Sequence, residues 1–164
     1  MTFVLAGAKA SAMNPEDAVR TAAEWGASHG GAICLLDARL VFGRDHLESA
    51  ALHAIRARDS KTMSSRSLAM ETLLYASGHR QVQDAIRVTG LRRETTTVGI
   101  VLFGDAKIDE LLEAMGWRRD DEVLAPASKD LGAFGISQKE AETIPTSRRA
   151  DLVLEKVALL DVQK

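Results

Sequence analysis

The run "SKTMSSRSLAMETLL", Ser60 to Leu74, gathers Lys61, Arg66 and four serines with no acid before Glu71. Ser67 stands where a helix N-cap belongs, and Leu68, Ala69, Leu73 and Leu74 form an apolar face behind it. A helix start presents unpaired N–H groups and the positive end of a dipole, so it attracts anions. Lys61 would act there as a point charge and Arg66 as a forked phosphate donor. The hydroxyls of Ser64, Ser65 and Ser67 would add short-range donors. Three occupants fit: a capping side chain, a phosphate, or the backbone of a nucleic acid. Composition alone does not choose among them.

Other chemistry is hard to find. No G-x-x-x-x-G-K-[ST] phosphate loop and no G-x-G-x-x-G turn occurs. His29, His46, His53 and His79 make no H-E-x-x-H motif, and the single Cys34 rules out a cysteine zinc cluster and an internal disulfide. Cys34 lies in the apolar run "AICLLD", where a thiol packs rather than reacts. Ser64, Ser65 and Ser67 lack a G-x-S-x-G elbow. The expectation is a protein that is not an enzyme by itself, with no catalytic residue, metal, cofactor or small-molecule substrate.

Charge narrows the search. The chain has 164 residues and a net charge of −2. Between Arg56 and Arg93, however, eight basic residues face three acids. A basic centre in an otherwise acidic chain reads as a local anion site or as a solvated helical face. The start "MTFVLAGAKAS" has no basic segment before its short apolar run, and no run nears 18 apolar residues. A soluble, cytoplasmic protein without membrane contact is expected, and the reduced cysteine suits that compartment.

The elements that must position this site follow from local signals. The length suits one domain, residues 1–164, with a single core. Residues 2–6, "AICLLDA", "TTTVGIVLFG" and "EVLA" read as strands. Asn14 before Pro15 starts one helix. Asp45 with Glu48 suggests a capping box for a helix to Arg58, carrying Leu47, Ala51, Ala54 and Ile55 inward. The helix after Ser67 ends at Gly78, and another follows with Val82, Ala85 and Ile86 inward. Asp105 is expected to cap a helix bearing Ile108, Leu111, Leu112 and Met115. "SQKE" at 137–140 starts a short helix, and Ser147 the last one, with Ala150, Val153, Leu154, Val157 and Leu160 inside. The fold class is therefore α+β, with mixed α/β possible: a small sheet of three to five strands packed with about seven helices.

The order of motifs from Ile33 to Asp105 carries a resemblance. "LLDARLVFGRDHLESAALHAI" ends a strand in Asp37 and enters an amphipathic helix. "KTMSSRSLAMETLLYASGHRQVQDAIRVTGLRRETTTVGIVLFG" then supplies Ser65-Arg66-Ser67-Leu68, Glu71, the apolar "LLYAS" stretch, "RQ", "AI", a Gly-Leu step and an apolar strand. This string resembles the PRPK-binding protein family, the small accessory subunit of the KEOPS complex, in its archaeal form. The resemblance implies a non-catalytic subunit that binds the kinase-like PRPK subunit. It further implies recruitment of tRNA through its 3′ CCA end, for N6-threonylcarbamoylation of the adenosine beside the anticodon. A single-stranded end needs phosphate contacts and apolar surface for unstacked bases. Arg56, Lys61, Ser64, Ser65, Arg66, Ser67 and Arg80 are the expected RNA-binding residues. Tyr75 and Ile86 could touch bases or pack in the core. The alternative is a protein-only adaptor that activates the kinase-like subunit without touching RNA.

Overall fold

The computed structural model describes residues 1–126 and 129–163. Three of its helices start where a short polar side chain meets the sequence signal. Asn14 Oδ1 accepts the Asp17 N–H at 3.0 Å and opens α1 (Pro15–Ser28). Ser67 Oγ accepts the Met70 N–H at 3.1 Å and opens α3 (Leu68–Ser77). Ser137 Oγ accepts the Glu140 N–H at 3.1 Å and opens the short α6 (Gln138–Glu142). Each cap satisfies an N–H that the helix itself cannot.

Four strands form one antiparallel sheet in the order β2-β3-β1-β4: β1 (Phe3–Lys9), β2 (Ala32–Asp37), β3 (Thr97–Phe103) and β4 (Arg118–Arg119). Successive side chains of a strand point to opposite faces, and here both faces are apolar. Ile33, Leu35, Val98, Ile100 and Leu102 pack with α1 and α5 (Ile108–Met115). Cys34, Leu36, Val101 and Phe103 pack with α2 (Arg44–Asp59), α3 and α7 (Ala150–Gln163). Helices thus cover both sides of the sheet, and the strands read as continuous apolar runs rather than as alternation. Together with α4 (Val82–Thr89), the described residues hold seven α-helices and four strands in an α+β arrangement. Each fully buried Leu, Ile or Phe contributes on the order of 1.5–3 kcal/mol.

Gly7 and Gly99 face each other across β1 and β3. A Cβ on Gly7 would lie 2.4 Å from the Asp120 carbonyl oxygen and 2.6 Å from Val123 Cγ2. The absent side chain lets the segment after β4 lie against the sheet. That segment, Asp121–Leu124, is a 3-10 turn. The expected "EVLA" strand is therefore wrong, because Leu124 is drawn into the core by one turn while Arg118–Arg119 pair with Ala8–Lys9.

Three expected starts also differ. Gly43, at φ 94°, precedes α2, with no side-chain cap. Asp45 lies within the first turn, where its charge suits the dipole. Asp105 Oδ1 accepts the Thr2 hydroxyl at 2.8 Å, so Lys107 stands at the start of α5 without a side-chain cap. Ser147 belongs to a separate 3-10 turn, and α7 begins at Ala150.

His46 ties α2 to its neighbours. Its Nδ1 accepts the Phe42 N–H at 3.0 Å, and its Nε2–H donates to the Ala76 carbonyl at 2.8 Å. That pattern requires the neutral ring. Burial, reinforced by the charge of Lys129, lowers its pKa to about 4, although the bond to Ala76 works in the opposite direction.

Candidate functional site

The loop before α3 is built around an anion of its own. Glu71, in the first turn of α3, is completely buried and turns back toward the loop. Its carboxylate accepts the Ser64 N–H at 3.0 Å, the Ser65 N–H at 2.9 Å and the Ser65 hydroxyl at 2.8 Å. Ser67 spends its hydroxyl on the helix cap. The loop is therefore held rigid by internal contacts, and what it presents outward is cationic. Arg66 is exposed and has no ion pair or hydrogen bond among the described residues. Lys61 is exposed as well, fixed at φ 59° where α2 ends, with its N–H on the Arg58 carbonyl at 3.0 Å. A left-handed non-glycine residue is uncommon and here turns the chain out of the helix.

Beside Ser67 lies an open groove of about 530 Å³. Its walls are α1 (Val19, Arg20), α3 (Met70, Leu73), α4 (Ile86) and Leu91 just after α4. Val19 and Ile86 are 47% and 45% exposed, large apolar side chains left facing the groove from opposite sides. Ile86 was expected to point inward. It lies one position past the buried Ala85, and a helix turns about 100° per residue, which carries it to the groove side.

The structure gathers some candidates and separates others. Ser67 and Ile86 line one groove, with Arg66 adjacent in the chain. Arg56 lies toward the end of α2, exposed and 3.9 Å from Asp161 of α7. Arg80 sits beyond the far end of α3, a helix length of about 15 Å from the Ser67 cap. Tyr75 is 1% exposed. Its ring stacks on His53 at 5.2 Å, and its hydroxyl donates to Asp161, while His53 Nδ1 stands 2.6 Å from the same carboxylate. Burial pushes the Tyr75 pKa up, and Asp161 adds to the shift. Of the two readings of Tyr75, its position is that of a core residue joining α3 to α7.

Asp37, at the end of β2, is a structural hub. It accepts the Arg39 N–H at 3.0 Å, the Arg39 guanidinium at 2.6 Å and the Thr95 hydroxyl at 2.9 Å. Burial alone would raise its pKa, but these bonds outweigh it and hold the carboxyl below its ordinary range. Lys129 donates to the carbonyls of Ala38, Val41 and Val123 at 2.5–2.8 Å, and burial lowers its pKa to about 8. Cys34 is buried and its thiol is pushed up to about 12. Among the described residues no cluster of His, Cys, Asp or Glu could hold a metal ion. None of their helices is long and apolar enough to cross a membrane.

Val19, Arg20 and Met70 were missed at the sequence level. The signal that could have found Val19 is its place on the polar side of α1, one residue off the buried Ala18 and Ala22 stripe.

Residues 18–142 match the family described as kinase binding protein CGI-121. A regulatory protein Cgi121 of Methanocaldococcus jannaschii is 27% identical over 137 residues, covering 79% of this chain and 83% of that protein. A protein of Yarrowia lipolytica named EKC/KEOPS complex subunit CGI121 is 23% identical over 93 residues, covering 57% of this chain and 55% of its own length.

Proposed function

The chain belongs to the kinase binding protein CGI-121 family, and from that premise we propose that it is the non-catalytic, cytoplasmic subunit of a KEOPS-type assembly. In this reading it binds the PRPK-type kinase-like subunit. It recruits tRNA by the 3′ CCA end, so that the adenosine beside the anticodon receives its threonylcarbamoyl group on N6. The observation that carries the RNA part is the meeting of Ser67 and Ile86 in one apolar groove next to Arg66, a cation without an internal counter-ion. Unstacked bases take apolar surface, and their phosphates take exposed Arg and Lys. The family and the names of the two relatives support the kinase-like partner.

A second reading, an adaptor that binds protein only, draws on a different surface. Leu52 of α2 and Leu159 and Val162 of α7 are exposed, with Val162 at 82%. Exposed apolar side chains on packed helices suit a protein partner. Charge reversal separates the readings. Arg66→Glu with Lys61→Glu alters exposed side chains away from the core, so stability should move by no more than ~0.5 kcal/mol. Affinity for tRNA should fall, and its dependence on log salt should flatten by about 0.7 per lost phosphate contact. Binding to the kinase-like subunit should persist. Unchanged tRNA affinity and salt dependence, or equal affinity for tRNA lacking its CCA end, would leave the adaptor reading.

A further inference from the structure

Arg39 and Arg92 reach one carboxylate oxygen from separate stretches of the chain. Arg39 Nη2 lies 2.6 Å from Asp37 Oδ2 and Arg92 Nη1 lies 3.5 Å from it, while Asp37 itself is completely buried. The two arginine side chains nevertheless stay 50% and 37% exposed. A guanidinium offers five N–H donors in a fixed plane. Arg39 turns Nε and Nη2 toward Asp37, and Arg92 gives Nη2 to the Arg87 carbonyl at 2.6 Å. Among the described residues nothing accepts from Arg39 Nη1 or Arg92 Nε. The two forks line an open cleft of about 580 Å³, where Ala38, Leu40, Val123 and Ala133 supply apolar lining. This cleft shares no residue with the groove beside Ser67.

Formal charge does not select its ligand. Lys129 also lines the cleft, but its ammonium donates to three carbonyls and has no hydrogen left over. Asp37, Glu94 and Asp130 stand against the cations. Asp130 Oδ1 accepts the Gly132 N–H at 2.8 Å, and the Glu94 side chain, 3.6 Å from Arg39, is 63% exposed and largely screened. Preorganisation is what favours binding, since Asp37 fixes both forks from inside and a ligand need not order either arginine. One fork satisfies a planar carboxylate, whereas two forks from different directions suit the tetrahedral oxygens of a phosphate. We propose that the cleft binds a nucleoside phosphate, its phosphate on the free N–H groups of Arg39 and Arg92 and its organic part on the apolar lining. A free nucleotide and a nucleotide within an RNA strand share this chemistry. The second source rests on the RNA-tail reading, because Leu91 of the groove directly precedes Arg92.

The experiment follows the arginine Nε–H resonances of the isotope-labelled full chain as adenosine 5′-monophosphate, adenosine or an oligouridylate without a CCA end is added. Adenosine 5′-monophosphate should move the Arg39 and Arg92 signals and adenosine should not. Movement by the nucleotide alone assigns the free nucleotide, and movement by the oligouridylate at lower concentration assigns the strand. No movement with either phosphate-bearing probe, or equal movement with adenosine, would overturn the proposal. Because no probe carries a CCA end, failure of the RNA-tail reading leaves these outcomes unaltered. Glu94→Gln removes the exposed carboxylate beside Arg39 and should tighten nucleotide binding about twofold. Thr97→Glu sets a new carboxylate in the cleft and should weaken it about fivefold. Neither change touches the bonds to Asp37 from Arg39 and Arg92, and Glu94→Gln alone decides the matter if Thr97→Glu fails to fold. Nucleotide affinity unchanged by Glu94→Gln would place binding elsewhere and overturn the site.

Discussion

Acidification should weaken this fold through His46 before it reaches the carboxylates. The ring is neutral in the folded protein, with its pKa lowered to about 4, and both nitrogens are engaged by backbone. In the unfolded chain the same group titrates at its ordinary value of ~6.5. Above pH 6.5 neither state holds the proton, and stability is unaffected by it. Between pH 6.5 and 4 only the unfolded state binds the proton, so stability falls as pH falls. One pKa unit is about 1.36 kcal/mol, which gives about 2 kcal/mol lost by pH 5 and roughly 3 kcal/mol once pH 4 is passed. Asp37 and Asp121, held below the ordinary carboxylate range, give up their contributions only at lower pH. Urea unfolding at pH 7.5, 6.0 and 5.0 measures the effect, with His46→Gln as reference. The glutamine can keep a donor toward Ala76 but carries no titrating group, so the wild type should lose more stability on acidification than the variant. Parallel losses in the two proteins would refute the buried, neutral histidine.

The thiol of Cys34, buried and pushed up to about 12, should resist alkylation at pH 8 in the native protein and react at once in urea; rapid native labelling by iodoacetamide would contradict its burial. Glu71→Ala removes the acceptor of two loop N–H groups and the Ser65 hydroxyl, which should cost about 2–4 kcal/mol. It should also weaken tRNA binding although Glu71 does not line the groove; an unchanged unfolding midpoint would show that the loop does not depend on this carboxylate.

What the sequence determined by itself is local. Asn14-Pro15, Ser67 and the Ser137–Glu140 pair announce helix starts because a cap and its N–H are two or three residues apart. The apolar runs of β2 and β3 were legible because the sheet is covered on both sides. Leu73 and Leu74 point into the core as their spacing requires. The tertiary structure decided the rest. Arg118–Arg119 became a strand only by pairing with residues more than 100 positions earlier. Leu124 turned into the core rather than extending, and Gly43 replaced the Asp45 cap. Glu71 looks like an ordinary helix-surface acid in the sequence, yet in the fold it is the anion that its own loop closes around. The groove joins α1, β2, α3, α4 and Leu91 just after it, and its lining residues are separated by up to 76 positions between Pro15 and Leu91. Periodicity records which side of a helix is apolar, but the gap between two layers of helices at an unpaired strand edge depends on how the layers pack.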